Sequence, residues 1–376
     1  MSVSYIPDKI KFMLWGRSAG RCNYCNSQLY MDPLTKSKFN TAYIAHIVAD
    51  KPNGPRGHEK DSEVLKSSYS NLMLMCDVHH RLIDREDVTG HPVELLMKMK
   101  EDHENRISIQ SELTNDKQSH VLLYGAKVGH HSSPLTWQKS YEAISPKKFP
   151  ADINPIKIGL DNSATRDDEE HYWSLEKINL EKNFQRLVKS QLSDGHIKHL
   201  SVFAIAPQPL LIELGRLISD FVPSDVYQLK REPSTWSWVD GKDVAFLITE
   251  AKDKRVNVAL NISLSGNISD ERITDVLGED TSIWTLTIND PHNDFLKTPK
   301  TLESFRQTVR KLYNEIKRVH GQNTILNVFP AMPVSAAVEF GRVWQPKADM
   351  EMIIYDQNRN RDGFIKTIEI QNTERE

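Results

Sequence analysis

The 376-residue sequence predicts an α/β protein of more than one domain. A small zinc-stapled strand-strand-helix unit is expected over residues 1–115. Two tandem Rossmann-like units are expected over 116–376, dividing near residue 240. Three observations predict this. Every cysteine, Cys22, Cys25 and Cys76, falls into a chelating pattern completed by His79. Two short apolar runs, one holding His46 and one following Asn71, lead into a segment with helical spacing. Beyond residue 200 a motif recurs at a constant interval. The length agrees, because a chain this long is expected to hold two or three domains, each with its own core.

Along the chain, Ile6-Pro7-Asp8 opens a short helix with Ile10, Met13 and Leu14 on its apolar side, closing at Gly16. It delivers the chain to Cys22-x-x-Cys25. That pair and Cys76-x-x-His79 have tight-turn spacing, and tetrahedral zinc accepts thiolates and imidazole. An odd number of thiols cannot all close as disulfides. The plainer alternative, small buried hydrophobes with one pair arising by chance, has to explain why no cysteine lies outside the pattern.

A structural zinc closes its coordination shell, so any chemistry falls to the residues the knuckles hold: His46, Asn71, His80 and Asp84. Residues 43–48 read as a strand carrying His46, and Asn71 precedes a second strand from Leu72 to Met75. In the helix that follows, His80 and Asp84 stand at i and i+4 and share a face. Read one at a time, His46 could be a satisfied core histidine and Asp84 a solvated helix charge. The polar loop 51–70 carries Arg56 and His58, which are either phosphate contacts or solvated loop charges. Residues 92–113 read as a helix with Leu95, Leu96, Met99 and Ile107 toward the core. A polar linker starts at Thr114.

Phe203-Ala-Ile-Ala-Pro207 with Ile212-Glu-Leu-Gly-Arg216 is echoed by Phe329-Pro-Ala-Met-Pro333 with Val338-Glu-Phe-Gly-Arg342, offset by 126 residues throughout. Flanking strands near Val121 and Val256, and helices near Leu175 and Leu302, repeat as well. Strands alternating with helices imply parallel sheets, whose ligands sit beyond the carboxyl ends of the strands. Four such loops, 129–133, 207–209, 263–267 and 332–335, nominate Ser132, Ser133, Ser263, Ser265 and Ser335 for phosphate oxygens, Gly266 for close approach and Pro333 as a ligand-binding position. Trp236 and Trp238, beside Lys230 and Arg231, could stack a base and pair a phosphate. Each of these residues could equally be an ordinary turn or edge-strand residue.

Composition says less. A net charge of −3, with fifteen basic and fifteen acidic residues in the first 112, does not announce a nucleic-acid binder. No apolar run approaches the roughly 18 residues of a membrane span, and no signal-peptide core opens the chain. A cytoplasmic protein with reduced thiols and no membrane partner is expected.

At these residues two resemblances emerge. Cys22-x-x-Cys25, Ala45-His46-Ile47, Asn71-Leu72 and Cys76-x-x-His79-His80 resemble the HNH, or ββα-metal, endonuclease domain. That likeness implies His46 as general base, Asn71 as the holder of its imidazole, and His80 with Asp84 as ligands of a catalytic magnesium or other divalent ion. Where many HNH domains carry a further ligand before the base, this chain has Ala45, leaving Asp50 or water as candidates. The duplicated Pro-x5-Glu-x-Gly-Arg half is similar to SAVED domains, built of two CARF-like units that sense cyclic oligonucleotides. The two together look like the HNH-SAVED effectors of bacterial CBASS anti-phage systems. The implied activity is double-stranded DNA degradation with little sequence preference, activated by a cyclic di- or trinucleotide through homo-oligomer formation. The rival readings are a modification-dependent restriction nuclease and a non-enzymatic zinc-finger regulator carrying a nucleotide sensor.

Overall fold

A computed structural model describes residues 5–32, 34–112, 114–126, 135–159, 169, 171–358 and 363–372. The chain divides into two compact units, Met1–Thr114 and Asn115–Glu376.

In the first unit, helix α1 (Asp8–Arg17) starts after Pro7, whose carbonyl accepts from the Ile10 and Lys11 amides. Strands β1 (Ala42–His46) and β2 (Leu72–Cys76) pair antiparallel, with Ala42 opposite Cys76 and His46 opposite Leu72. The connection between them holds the single-turn helix α2 (Asp61–Leu65) and a 3-10 turn, Tyr69–Asn71. Helix α3 (Asp77–Arg81) leaves β2 directly and runs on as a π turn, Leu82–Glu86, before the long helix α4 (Val93–Ser111). Strand alternation places Ala45 in the core with Ile47, Met73, Met75, Ile83 and Leu96. Leu14 and Leu96 are buried as the helical spacing requires. Leu95 and Met13 remain exposed.

The second unit contains the same α/β path twice. The first copy runs β3 (Gln118–Gly125), α5 (Trp137–Ile144), β4 (Phe149–Pro150), β5 (Ile156–Gly159), α6 (Tyr172–Phe184), α7 (Ser190–Ser193), β6 (Leu200–Ile205), α8 (Gln208–Ile218) and β7 (Ser224–Val226). The second runs β8 (Leu247–Thr249), β9 (Asn257–Ser263), α9 (Asp270–Leu277), β10 (Thr281–Thr287), α10 (Pro299–His320), β11 (Leu326–Ala331), α11 (Val334–Val343), β12 (Met352–Asn358) and β13 (Gly363–Ile370). In the first sheet β3 lies between β5 and β6, with β7 outside β6. In the second, β9 lies between β10 and β11, with β12 outside β11. All these pairs are parallel, and only β8 and β13 add antiparallel edges. Buried on both faces, the central strands read as unbroken apolar runs.

Helix α10 shows how local chemistry sets an element. Thr298 caps its first turn by accepting from Thr301 N at 3.1 Å, Pro299 occupies the position where a missing N–H costs least, and Gly321 at φ +90° stops it. The echoed motif turns out to be a crossing point. A Cβ on Gly215 would overlap the Val338 carbonyl oxygen, and one on Gly341 would overlap that of Ile212. Glycine at both positions lets α8 and α11 touch backbone to backbone. One contiguous apolar core then runs through both copies.

Candidate functional site

The first knuckle is built against β2. The Asn23 amide donates to the Leu74 carbonyl at 2.8 Å, and the Leu74 amide donates to Asn23 Oδ1 at 2.7 Å. Asn26 at φ +63° turns the chain back, with its amide on the Cys22 carbonyl at 2.9 Å. Because β2 ends at Cys76 and α3 starts at once, the second knuckle projects beside the first. One ligand atom from each of Cys22, Cys25, Cys76 and His79 lies within 4.8 Å of the others, and this is the only such convergence among the described residues. Cys25 and Cys76 sulfurs are 3.9 Å apart, close to the edge of about 3.8 Å that tetrahedral zinc–sulfur bonds of 2.3 Å generate. His79 Nδ1 stands 3.1 Å from Cys76 Sγ. Burial pushes the Cys22 thiol up to about 12. Desolvation raises Cys25 too, but hydrogen bonds from Ser27 outweigh it and leave that thiol lowered. A buried neutral thiol beside two others releases its proton to a cation, so the donor set fits a structural zinc. Tyr24 stacks on the His79 ring at 4.1 Å.

His46 closes β1, and its Nε2 lies 2.8 Å from the Lys66 carbonyl. A carbonyl only accepts, so Nε2 carries a proton, and in the neutral ring Nδ1 keeps its lone pair. Asn71 does not hold this ring, contrary to what the HNH resemblance implied. Fully buried, it donates to the Val48 and Leu65 carbonyls and accepts from the Val48 amide, locking both ends of the loop that presents Lys66. His80 stacks on Tyr43 of β1, centroids 5.0 Å apart, and its Nε2 faces Asp84 Oδ2 at 3.3 Å. Desolvation lowers the His80 pKa against the opposing pull of Asp84, and the nearby His46 lowers it further. The other Asp84 oxygen accepts from Arg56 at 2.6 Å. Arg56 is thus neither a phosphate contact nor a solvated loop charge, because its side chain is buried. His58 is exposed and pairs with Asp61. Ala45 points into the core and offers no ligand. Lys66 was missed in the sequence, and Arg56 was named there for another role, because nothing local marks a loop arginine or a backbone carbonyl as a holder of the site.

At the carboxyl ends of β6, β9 and β11 the described loops meet. Gln208, first residue of α8, accepts from the Met332 amide at 3.2 Å, and the Ser265 amide donates to the Ala331 carbonyl at 2.8 Å. Pro207 and Pro333 occupy the N-cap positions of α8 and α11, so two helix N-termini start side by side. Several expected ligand contacts are otherwise committed. Ser335 is buried and donates both its hydroxyl and its amide to Gln228 Oε1. The Ser263 hydroxyl donates to Asn261 and accepts from the Ile268 amide. Trp236 is 0% exposed, edge-on to Phe203 at 5.2 Å, and therefore a core residue and not a stacking platform. Lys230 is buried with Nζ on the Ser237 carbonyl, its pKa lowered first by desolvation and then by Lys297. Pro333 is buried as well. Trp238 is half-buried, packed at an angle on Tyr227, and Arg231 is exposed. Ser265 has an enclosed hydroxyl without a partner, and Gly266 faces open space where a Cβ would stand. Ser132 and Ser133 lie outside the described residues. Gln208 and Gln228, which tie the loops together, carried no sequence signal.

A family model described as "SMODS-associated and fused to various effectors sensor domain", abbreviated SAVED, matches residues 180–370. No curated protein matches the chain. Among solved structures, the Acinetobacter baumannii Cap4 SAVED/CARF-domain containing receptor is 12% identical, with TM-score 0.42 over 76% of this chain and 60% of that one. Its complex with the cyclic trinucleotide 2'3'3'-cAAA gives 12% and 0.43, over 74% of this chain and 59% of that one. The Moraxella osloensis Cap4 receptor is 10% identical, with TM-score 0.42 over 74% of this chain and 60% of that one. The chain thus spans about three fifths of the length of the structures it matches. No helix among the described residues is long and apolar enough to cross a membrane.

Proposed function

The chain belongs to the SAVED family of sensor domains fused to various effectors, and on that premise we propose that it is a ligand-gated DNA endonuclease. The first unit is the effector, and the second reads a cyclic oligonucleotide. The observation that carries the nuclease half is the imidazole pair. A histidine whose Nδ1 has no partner among the described residues closes β1, and a second histidine on α3 stacks against the same strand, both beside a Cys3His cluster.

In this reading the His46 Nδ1 lone pair takes the proton of the attacking water, while the Lys66 carbonyl keeps the ring oriented through Nε2–H. His80 would hold the divalent ion with Asp84 behind its ring, and the ion when bound would supply Lewis-acid polarisation of the scissile phosphate. A site with few protein donors suits magnesium, which keeps several waters. Cys22, Cys25, Cys76 and His79 would hold a zinc ion with a structural role. In the sensor, the paired N-termini of α8 and α11 favour the phosphates of a cyclic di- or trinucleotide. A nuclease acting on double-stranded DNA without sequence preference has to stay silent until triggered. Ligand-driven assembly into a homo-oligomer would provide that switch.

The test is plasmid cleavage by the purified protein in magnesium, with and without a panel of cyclic di- and trinucleotides. Ligand-dependent degradation that His46→Ala abolishes supports both halves. Cleavage without any ligand removes the gating. Binding of DNA without cleavage under every ligand leaves a zinc-stapled binding module.

A further inference from the structure

Arg56 is a buried charge that neither the zinc cluster nor the proposed hydrolysis uses. Its side chain is 6% exposed, and its φ is +57°. Nε donates to the Ile47 carbonyl at 2.7 Å, Nη1 to the Ile83 carbonyl at 2.6 Å, and Nη2 to Asp84 Oδ1 at 2.6 Å, with the His46 carbonyl at 3.4 Å. One guanidinium therefore joins the end of the strand carrying His46 to the helix carrying His80. Only a planar fork reaches three such acceptors at once. Asp84 is held on both sides, by the fork at Oδ1 and against His80 Nε2 at Oδ2.

We propose that Arg56 and Asp84 are positioning residues of the imidazole pair: Arg56 fixes the Asp84 carboxylate, and Asp84 fixes the His80 ring with its proton on Nε2. Both imidazoles then have one polarity. His46 gives Nε2–H to a backbone carbonyl, and His80 Nε2 faces a carboxylate at 3.3 Å, whose charge favours the proton on that nitrogen, so each neutral ring keeps Nδ1 as a lone pair. Asp84 acts behind His80 and is not itself a ligand. The expected effect on rate rests on the nuclease reading. The ring geometry does not.

The test uses the full chain, zinc-loaded and free of magnesium, as wild type, Arg56→Lys and Asp84→Ala. Ring-carbon chemical shifts of His80 report its tautomer, and zinc content with melting temperature controls for folding. Wild type is expected in the Nε2–H form, and both variants as tautomer mixtures. With magnesium, maximal cleavage falls roughly 10- to 100-fold, and half-saturating DNA and magnesium concentrations move less than about twofold. An unchanged tautomer in the folded variants overturns the proposal. So does an Asp84→Ala protein that keeps the tautomer but needs more than about tenfold more magnesium, because that makes Asp84 a ligand. If Asp84→Ala does not fold, Arg56→Lys decides. If wild type never cuts, the nuclease reading fails while the tautomer measurement still judges the positioning.

Discussion

At the scale of single residues, what a side chain can do here depends on which of its atoms are already engaged. His46 has one engaged nitrogen, and its other has no partner among the described residues. Its replacement by alanine is expected to remove DNA cleavage by about 10²-fold or more, the usual worth of a general base, with melting temperature and zinc content unchanged. Cleavage within a few-fold of wild type would remove His46 from the mechanism. Trp236 shows the opposite situation. In sequence it sits among lysine, arginine and serine and looks like an aromatic waiting for a base. In the fold it is enclosed by Phe203, Tyr227, Val121 and Ile144. Trp236→Ala is therefore expected to destabilise the protein by about 3–5 kcal/mol in denaturant titration. Arg231→Ala, on the exposed turn nearby, is expected to change stability by less than about 0.5 kcal/mol.

At the scale of elements, the helix crossing and the zinc knuckles make separable claims. Gly215→Ala and Gly341→Ala each push a methyl into a carbonyl of the partner helix, so each is expected to cost about 1–3 kcal/mol or more. Gly266→Ala, which meets open space, is expected to be nearly neutral. Equal tolerance at all three positions would mean that α8 and α11 do not touch at the glycines. The strand pair and the helix behind it were readable from the spacing of His46, Asn71 and His80, and the knuckles from the cysteines. The duplicated helices were readable as an echo. That the echo marks a crossing was not, because the clash that demands glycine comes from a helix more than a hundred residues away.

At the scale of the whole molecule, the two units have separate apolar cores, one gathered around Leu74 and Ile83 and the other running through both α/β copies. Chelating zinc is expected to abolish the melting transition of the first unit and leave that of the second in place. A single transition shifted as a block would contradict this. Acid should act on the second unit through His320. Burial, and then nearby Lys254, lowers its pKa from the ordinary value of 6.5, and its Nε2 accepts from Trp284 Nε1–H at 3.0 Å. Below pH 6.5 the unfolded chain takes up a proton that the folded chain resists, so the unfolded state binds more protons. The stabilisation is complete above about pH 6.5 and is lost as pH falls through the lowered folded value. Denaturant titrations at pH 7.5 and 5.5 should show this loss, and His320→Gln, which can still accept from Trp284, should reduce it.

The sequence by itself determined what depends on near neighbours and on repetition. It determined the Cys3His pattern, the apolar runs of the buried parallel strands, the helix periodicity, and the tandem α/β units with their Glu-x-Gly-Arg echo. These are properties of spacing along the chain, and spacing survives without a fold. Tertiary structure alone decided which polar groups were still free. Ser335 is committed to Gln228 across 107 residues and Asp84 to Arg56 across 28. A buried donor or acceptor has to find a partner wherever the fold brings one, and that partner's identity is a fact of three-dimensional proximity.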